Sequence, residues 1–337
     1  MSTSAKAAPG ARVPGAAPAR ALLRAAAAWS GVSTAEATSA AETLLHVRRD
    51  GWARLPRRSR LNNDGSPLQV CASLGPGGTG VRLLGDPAVE LAGAARFEAA
   101  CAALRAAGER GGAGALAELA ESAARRFVDE QTMALDSGPA WLACGLGAPG
   151  VALYLTARRA DPDRAWRRVA EWFEGLLPDS SAARSLVAAL RAHAVPASVG
   201  IEGTSPETAR AKLYWRLRSP LPLAELGVGL PAQAAFAEFL RRTVDGGAIP
   251  RAGLVFSAGF SLGDGRRADL KVDVCAHCAP QSAGAWAARI GALAAAFGRA
   301  APQMDAVARR RTEVAFVGLG IGALGEARLN VYLKEAR

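Results

Sequence analysis

The chain contains few lysines and tyrosines, and most of them fall at alternate positions of short apolar segments. Its 337 residues include 41 lysines and arginines, of which only four are lysine, and three tyrosines. Lys212 and Tyr214 are two residues apart, as are Tyr332 and Lys334, so in an extended strand each pair projects from one face. An ammonium group beside an aromatic ring can bind an anion while the ring face stabilises a nearby cation. The spacing therefore indicates a reaction in which a bond breaks to give an anion and a cation.

The anion that fits these residues best is a diphosphate. Several fixed cations in a partly dry cavity repel one another and are costly to desolvate unless an anion lies among them. Diphosphate oxygens match arginine and lysine donors, which would also stabilise charge developing on a leaving group. Tyrosine rings beside the site would keep water away from a carbocation. We therefore predict a cavity in which an allylic diphosphate ionises and its cation is transferred.

Five predicted hairpins position these residues. Each consists of two short apolar runs joined by a Gly-rich turn, which is typical of antiparallel strands. The hairpins span residues 68–86, 140–159, 197–218, 253–278 and 313–336. Helical stretches precede them at 20–49, 94–133, 161–193, 221–244 and 280–310. The repeated unit is thus helix–helix–strand–strand.

Ten antiparallel strands in one open sheet would leave two exposed edges, and closure removes both. A ten-stranded barrel is wider than the eight-stranded size that side chains just fill, so it encloses a cavity. We predict an α+β fold, a closed ten-stranded antiparallel β-barrel with an outer ring of helices, as a single domain over residues 20–337. Residues 1–19 are rich in Ala and Pro and predict a disordered tail.

The second strand of each hairpin has one uniformly apolar face, which we expect to lie under the helices. That face reads Val81/Leu83, Val151/Leu153/Leu155, Leu213/Trp215/Leu217, Val272/Val274 and Leu329/Val331/Leu333. The other face is mostly polar, cationic and aromatic, and we expect it to line the cavity. It reads Arg82/Leu84, Ala152/Tyr154/Thr156, Lys212/Tyr214/Arg216, Lys271/Asp273/Cys275 and Asn330/Tyr332/Lys334. The alternative is an ordinary half-buried sheet whose polar face is solvated.

Composition narrows the classes of partner. The formal net charge of +11 favours anionic partners. We expect no membrane partner, since the sequence has no apolar run of about 18 residues and arginines interrupt the N-terminal segment. Five cysteines without framework spacing indicate a reducing compartment, hence the cytoplasm. The arginine runs at 57–60 and 309–311 lack interleaved aromatic residues, so we expect no nucleic-acid partner.

Three features together resemble the ABBA-type (PT-barrel) aromatic prenyltransferases, nearest the dimethylallyltryptophan synthase and cyanobactin-type branches. They are the five ααββ units over residues 20–336, the motif Lys212-Leu213-Tyr214 with Arg210 before it, and the segment SRLNNDGSPLQVCAS at 59–73. The resemblance implies a soluble enzyme, a monomer or weak homodimer, that moves a dimethylallyl or geranyl group from its diphosphate to an indole, another aromatic ring or a peptide side chain. It also implies that no cofactor is required and that magnesium is optional at most. The sequence accordingly lacks a DDxxD motif.

The resemblance also implies roles for individual residues. Diphosphate-binding cations would be Arg82, Arg210, Lys212, Lys271, Arg328 and Lys334. Cation-shielding rings would be Tyr154, Tyr214 and Tyr332. Three aromatic residues on first strands are candidates for the acceptor pocket, although core packing explains them equally well: Trp141, Phe256 and Phe316.

The general base departs from the family pattern. Indole-type members carry Glu after the DGxP turn, whereas this chain has Gln69, which can hydrogen-bond an acceptor N–H but cannot take its proton. Glu202 and Asp273 are the other candidates, and Asp273 could instead be an ion-pair partner of Lys271. The missing Glu keeps open a second hypothesis, a barrel without catalysis or with different chemistry that binds an anionic ligand or peptide. The segment Cys275–Cys278 lacks a second Cys/His pair, so we expect no metal site.

Overall fold

Ten strands form a closed antiparallel β-barrel in the computed structural model, which describes residues 17–48, 51–52, 55–135, 138–244 and 249–336. Each strand pairs with its neighbours in sequence, and β1 pairs with β10 to close the sheet. The strands are β1 (Leu68–Gly75), β2 (Gly78–Gly85), β3 (Ala140–Leu146), β4 (Val151–Thr156), β5 (Ala194–Gly203), β6 (Arg210–Leu217), β7 (Leu254–Ser261), β8 (Arg267–Cys275), β9 (Thr312–Gly322) and β10 (Ala327–Glu335). The predicted fold class is confirmed.

The helices precede the hairpins, as the repeat predicts. They are α1 (Ala17–Ser30), α2 (Thr34–Leu45), α3 (Gly93–Arg110), α4 (Gly114–Phe127), α5 (Glu130–Met133), α6 (Pro162–Glu174), α7 (Ser181–Leu190), α8 (Leu230–Thr243), α9 (Ala283–Ala296) and α10 (Asp305–Ala308). In the fourth unit a 3₁₀ turn at Leu223–Leu226 stands where the other units have a further α-helix. No helix among the described residues is long and apolar enough to cross a membrane.

The predicted tail lies outside the described residues except for its last three. Residues 1–16 are not described, and α1 already begins at Ala17. The helical segment is therefore longer at its N-terminus than the sequence predicts. Alanine is the residue with the highest helix propensity, and a run of alanines follows Arg24, so the composition that suggested disorder also supports a helix.

The two faces of the barrel follow the predicted alternation. The outward side chains pack against the helices in one continuous core, in which Leu83, Leu213 and Val272 are almost completely buried. A second cluster lies inside the barrel and contains Tyr154 and Tyr332. The alternation holds because side chains point to opposite faces at successive strand positions, and the helices can bury only one of those faces.

The two ends of the barrel differ. At the hairpin end, tight turns join the two strands of each pair, at 75–78, 146–151, 203–210, 261–267 and 322–327. At the open end, the longer connections through the helices enter and leave the sheet. Arg82, Arg210, Lys212 and Arg328 lie towards the hairpin end, and the aromatic side chains of the lumen lie towards the open end. The lumen is therefore divided by chemistry along its axis.

A β-bulge changes which side chains of β9 face the lumen. Tyr332 of β10 lies opposite Phe316, while the next residue, Leu333, lies opposite Val314, so Ala315 is an extra residue. Val314 belongs to the outer core, whereas Phe316 packs against the inner cluster, although strict alternation would give them the same face. The bulge thus separates two side chains that the period of two would keep together.

Candidate active site in the barrel lumen

Four cationic side chains converge in the hairpin half of the lumen on Glu202 of β5. Glu202 Oε2 accepts a hydrogen bond from Arg82 of β2 at 3.0 Å. Glu202 Oε1 accepts from Arg210 at 2.8 Å and from Lys212 Nζ at 3.4 Å, both on β6. Arg328 of β10 joins the group through a second carboxylate. The predicted diphosphate cations Arg82, Arg210, Lys212 and Arg328 are therefore brought together, and we call these four side chains the cation cluster.

Asp269 of β8 is the second carboxylate of the cation cluster and was missed in the sequence. Its Oδ2 accepts from Arg210 at 2.5 Å and from Arg328 at 3.4 Å, and its Oδ1 lies 3.6 Å from Lys212 Nζ. A signal for it existed, because Asp269 precedes Lys271 and Asp273 at the same period of two along β8. All three side chains therefore share the lumen face.

Both carboxylates stay ionised. Burial alone would raise the pKa of Glu202, but Lys212, Arg82 and Arg210 together hold it well below its usual range. Burial likewise opposes ionisation of Asp269, and Lys212 and Arg210 lower its pKa. Burial lowers the pKa of Lys212, and the two carboxylates oppose this shift. With a depressed pKa and both oxygens engaged, Glu202 is a poor proton acceptor, which argues against its candidacy as the base.

The lumen nevertheless keeps an excess of positive charge. The cation cluster and Lys271 supply five cations, while Glu202, Asp269 and Asp273 supply three carboxylates. The side chains of Arg82, Arg210 and Arg328 remain 30, 27 and 30 % exposed, so the cation cluster is not sealed from solvent. A multiply charged anion can therefore bind to them without first breaking every internal ion pair.

Glycines on neighbouring strands leave room for the cationic side chains. Gly145 lies opposite Arg82, and Gly200 and Gly259 lie on either side of Lys212. A Cβ added at Gly200 would lie 2.6 Å from a backbone oxygen, and one at Gly259 would lie 2.8 Å from an Asp269 oxygen. The width of a ten-stranded barrel does not by itself make room beside these cations. Side chains larger than glycine at the facing positions would fill it.

The three predicted shielding tyrosines form a layer between the cation cluster and the open end. The ring centroids of Tyr154 and Tyr214 are 5.8 Å apart at an interplanar angle of 81°, and Tyr332 meets Phe316 similarly at 5.9 Å and 79°. Lys271 Nζ donates to the Tyr332 hydroxyl at 2.8 Å. Lys212 Nζ lies 5.8 Å from the centroid of the Tyr214 ring. A carbocation on the side of the rings away from the two ammonium groups would therefore face aromatic surfaces.

The tyrosines are neutral phenols. Burial, together with nearby negative groups, raises the pKa of Tyr154, Tyr214 and Tyr332 above the usual value. The Tyr154 hydroxyl donates to Glu202 at 3.2 Å, so its orientation is fixed by the cation cluster. Neutral rings stabilise a cation through their quadrupoles and leave no phenolate oxygen to be alkylated by it.

A cavity of about 440 Å³ lies on the open side of the tyrosine layer. Trp141 and Phe316 line it, as predicted for an acceptor pocket, together with the three tyrosines, Gln69, Lys271 and Asp273. Phe256 does not share this position. It packs on the outer face of the barrel against Trp215, with ring centroids 6.0 Å apart and an interplanar angle of 18°. The preceding residue, Val255, lines the cavity instead, because successive strand residues face opposite sides.

Gln69 is held in place by the loop that precedes β1. Its Nε2 donates to Asn62 Oδ1 at 2.9 Å, and Asn62 Nδ2 in turn donates to the carbonyl oxygens of Ser66 and Leu68 at 3.1 and 3.0 Å. The segment 59–73 therefore works as one unit that fixes the Gln69 amide at the cavity wall. An amide in this position can hydrogen-bond an acceptor but cannot remove a proton.

Asp273 places a carboxylate at the cavity wall, where Gln69 offers only an amide. Its Oδ2 lies 2.7 Å from Lys271 Nζ, while its Oδ1 is buried and has no hydrogen-bond partner among the described residues. Gly318 lies opposite, and a Cβ there would come within 1.9 Å of this oxygen, so Oδ1 packs against the backbone of β9. Asp273 is therefore an ion-pair partner of Lys271 whose carboxylate lines the cavity.

Lys334 lies apart from the cation cluster. It pairs with Glu313 at 3.0 Å and with Asp64 at 3.5 Å, opposite Gln69 at the open end. The predicted contribution of Lys334 to diphosphate binding is thus not supported by its position. It lies six positions beyond Arg328 on β10, which is about 20 Å at roughly 3.3 Å per residue. Sharing a strand face did not put the two cations at the same level.

The segment around Cys275 and Cys278 forms no metal cluster. Across the described part of the chain, no group of three or more His, Cys, Asp or Glu side chains is arranged to hold a metal ion. Cys275 ends β8, and burial raises the pKa of its thiol to about 11.

Comparisons with known proteins give matches in structure only. No family model matches the sequence, and no curated protein does. The 6-dimethylallyltryptophan synthase of Micromonospora olivasterospora, solved with DMASPP and Trp, superimposes with a TM-score of 0.73 at 19 % identity, over 94 % of this chain and 96 % of that one. The 5-dimethylallyltryptophan synthase of Streptomyces coelicolor gives 0.70 at 20 % identity, over 94 % and 96 %. PriB with product diphosphate gives 0.71 at 18 % identity, over 95 % and 97 %.

The shared feature is the fold. The likeness extends over nearly the whole of each chain, and at 18 to 20 % identity it shows that this protein has the same fold as these structures, the PT-barrel. The resemblance stated from the sequence is confirmed at that level.

Proposed function

We propose that this protein is a prenyltransferase that moves a dimethylallyl or geranyl group from its diphosphate to an indole or other aromatic ring, free or within a peptide. One observation carries the proposal: a cluster of cations with excess positive charge is separated from an aromatic cavity by a layer of neutral tyrosines. The structural neighbours were solved with DMASPP and Trp or with diphosphate, which fits this division of the lumen.

The cation cluster and Lys271 would bind the diphosphate. As the allylic C–O bond breaks, its electron pair passes to a diphosphate oxygen, so negative charge grows beside these donors. Lys212 and Lys271 are only 2 and 4 % exposed, so they act on that charge with little screening by solvent. Stabilisation that increases towards the transition state accelerates ionisation instead of merely tightening donor binding.

The tyrosine layer would receive the cation. Tyr154, Tyr214 and Tyr332 present ring faces and edges around the path between the two substrates, and their bulk excludes water that would convert the cation to an alcohol. The acceptor ring would approach from the 440 Å³ cavity between Trp141 and Phe316. A ring carbon then forms the new C–C bond with the cation.

Loss of the ring proton would complete the substitution. We assign this proton to the Asp273 carboxylate, which lines the cavity, while the Gln69 amide oxygen accepts a hydrogen bond from the acceptor N–H. Lys271 Nζ, 2.7 Å from Asp273 Oδ2, would hold this carboxylate in position. Asp273→Asn is expected to lower kcat by about a hundredfold or more with little change in donor affinity.

We propose that no metal is required. The five protein cations could neutralise much of the diphosphate charge, and both Glu202 and Asp269 are already engaged by arginine and lysine. The test is turnover with dimethylallyl and geranyl diphosphates and a panel of indoles in EDTA, read as mass gain on the acceptor. Turnover that appears only when Mg²⁺ is restored would refute metal independence.

A second candidate, a barrel that binds an anionic ligand or peptide without catalysis, is favoured by Gln69 in place of a carboxylate. It predicts diphosphate binding by calorimetry with neither prenylated product nor prenyl alcohol. Slow release of prenyl alcohol alone would support ionisation and therefore the enzyme.

A further inference from the structure

Three arginines line the cavity on its open side, beyond the tyrosine layer. Arg60 belongs to the segment that precedes β1, Arg158 follows the end of β4, and Arg216 lies near the end of β6. They come from three separate elements and meet at one opening, which we call the arginine rim. The proposed transfer reaction uses none of them.

The arginine rim has no carboxylate partner among the described residues. Arg216 donates to the carbonyl oxygen of Ala252 and reaches Cys275 Sγ at 3.8 Å. No ion pair to an acidic side chain is found for Arg60, Arg158 or Arg216 within the described ranges, whereas the cation cluster is paired throughout. Burial and the charges of Arg216 and Arg60 lower the pKa of Arg158, so its charged neighbours are cations.

The cavity itself does not compensate this charge. Among the described residues its lining contains one carboxylate, Asp273, and Lys271 already lies 2.7 Å from that group. Within that part of the chain, the three rim cations therefore face an open cavity of about 440 Å³ without a counter-charge of their own. Like charges held together repel one another, and an anion placed between them relieves that repulsion.

We infer that the acceptor is a polyanionic aromatic molecule, with a ring in the cavity and at least two carboxylates on the arginine rim. Arg216 lies two residues beyond Tyr214, about 7 Å along β6 at roughly 3.3 Å per residue, and Arg158 lies two residues beyond the end of β4. A single arginine satisfies one carboxylate bidentately, so three unpaired arginines fit more than one acidic group. An aromatic residue within an acidic peptide and a small aromatic dicarboxylate share this chemistry. The inference rests on the proposed function for the identity of the cavity as the acceptor site.

The test measures acceptor binding without donor, by calorimetry at low and high salt. The probes are tryptophan amide, N-acetyltryptophan, indole-3-acetyl-aspartate and the acetylated peptide Trp-Asp-Glu, which run from a cation to a polyanion. Affinity is expected to rise at least threefold for each added negative charge and to fall as salt screens the rim. The last two probes distinguish a small dicarboxylate from a peptide.

Variants assign the effect to the rim. Arg158→Gln and Arg216→Gln should each weaken the polyanions about three- to tenfold and leave tryptophan amide unchanged or tighter. Arg158→Lys should keep most of the affinity, because the charge remains. Arg309→Gln, an exposed arginine outside the cavity, is the matched control for net charge.

Affinity that does not depend on probe charge, or an equal loss in Arg309→Gln, would overturn the inference. Charge-graded binding to the rim without any prenyl transfer would support the rim as a site for a polyanionic aromatic ligand and refute the proposed enzyme. Turnover of neutral and polyanionic acceptors with equal kcat/KM, unchanged in Arg158→Gln, would do the reverse.

Discussion

Replacing Lys212 by methionine tests the cation cluster directly, because it removes the charge and keeps most of the side-chain volume. Lys212 Nζ lies 3.4 Å from Glu202 Oε1 and 3.6 Å from Asp269 Oδ1. Removing one partner of a buried ion pair typically costs 3–5 kcal/mol, but both carboxylates keep arginine partners here, so we expect a loss of about 1–3 kcal/mol in unfolding free energy. We also expect the substitution to weaken binding of the diphosphate donor.

The loss of donor affinity follows from charge-assisted hydrogen bonding. A hydrogen bond to a charged group contributes roughly 1.5–3 kcal/mol, which corresponds to a ten- to 150-fold weaker Kd for a thiolodiphosphate donor analogue. Calorimetry gives the affinity, and urea denaturation gives the stability of the same preparation. The analogue prevents turnover, so binding is measured alone.

Lys334→Met is the matched control. Lys334 is also almost buried, and it also holds a buried carboxylate, Asp64, at 3.5 Å. The substitution should therefore lower stability by a similar amount while leaving donor affinity within about twofold. Equal losses of donor affinity in Lys212→Met and Lys334→Met would refute the assignment of the diphosphate to the hairpin half of the lumen.

Three further predictions follow from single contacts. Burial raises the pKa of Asp86 to about 6, above its unfolded value of 3.8, so its ionisation weakens the fold as pH rises through that window. The unfolding free energy of wild type relative to Asp86→Asn should therefore fall by about 2–3 kcal/mol between pH 4 and pH 7 in urea titrations. A difference that stays constant with pH would contradict the raised pKa. Tyr214→Ala should raise the ratio of prenyl alcohol to prenylated product about tenfold, whereas Tyr214→Phe keeps the ring and should not, as product analysis by mass spectrometry will show. Gly200→Ala should lower the unfolding free energy by about 1–3 kcal/mol, because the new Cβ would lie 2.6 Å from Leu153 O. In the control Gly320→Ala the nearest contact of the new Cβ is 3.5 Å, so the loss should be less than about 1 kcal/mol. Similar losses in the two variants would argue against tight packing at Gly200.

Residues that alternate strongly in hydropathy were placed correctly from the sequence. Lys212, Tyr214 and Tyr332 lie on strands whose other face is uniformly apolar, so the period of two and the outer helices leave only the lumen for them. Phe256 lies on the outer face although β7 carries a similar signal. Ser257, Gly259 and Ser261 alternate there with Phe256, Ala258 and Phe260, so the period of two assigns Phe256 to the apolar face under the helices.

The sequence by itself determined the repeated unit, the closed barrel and the faces of its second strands, because these depend on local periodicity and on the need to remove open sheet edges. The tertiary structure alone decided which side chains share a level of the barrel. Strand register sets that level, so it joined Asp269 to Arg210 and Arg328, separated Lys334 from them, and through one bulge directed Phe316 inward. Register arises from pairing between strands distant in the chain, and no spacing within one strand encodes it.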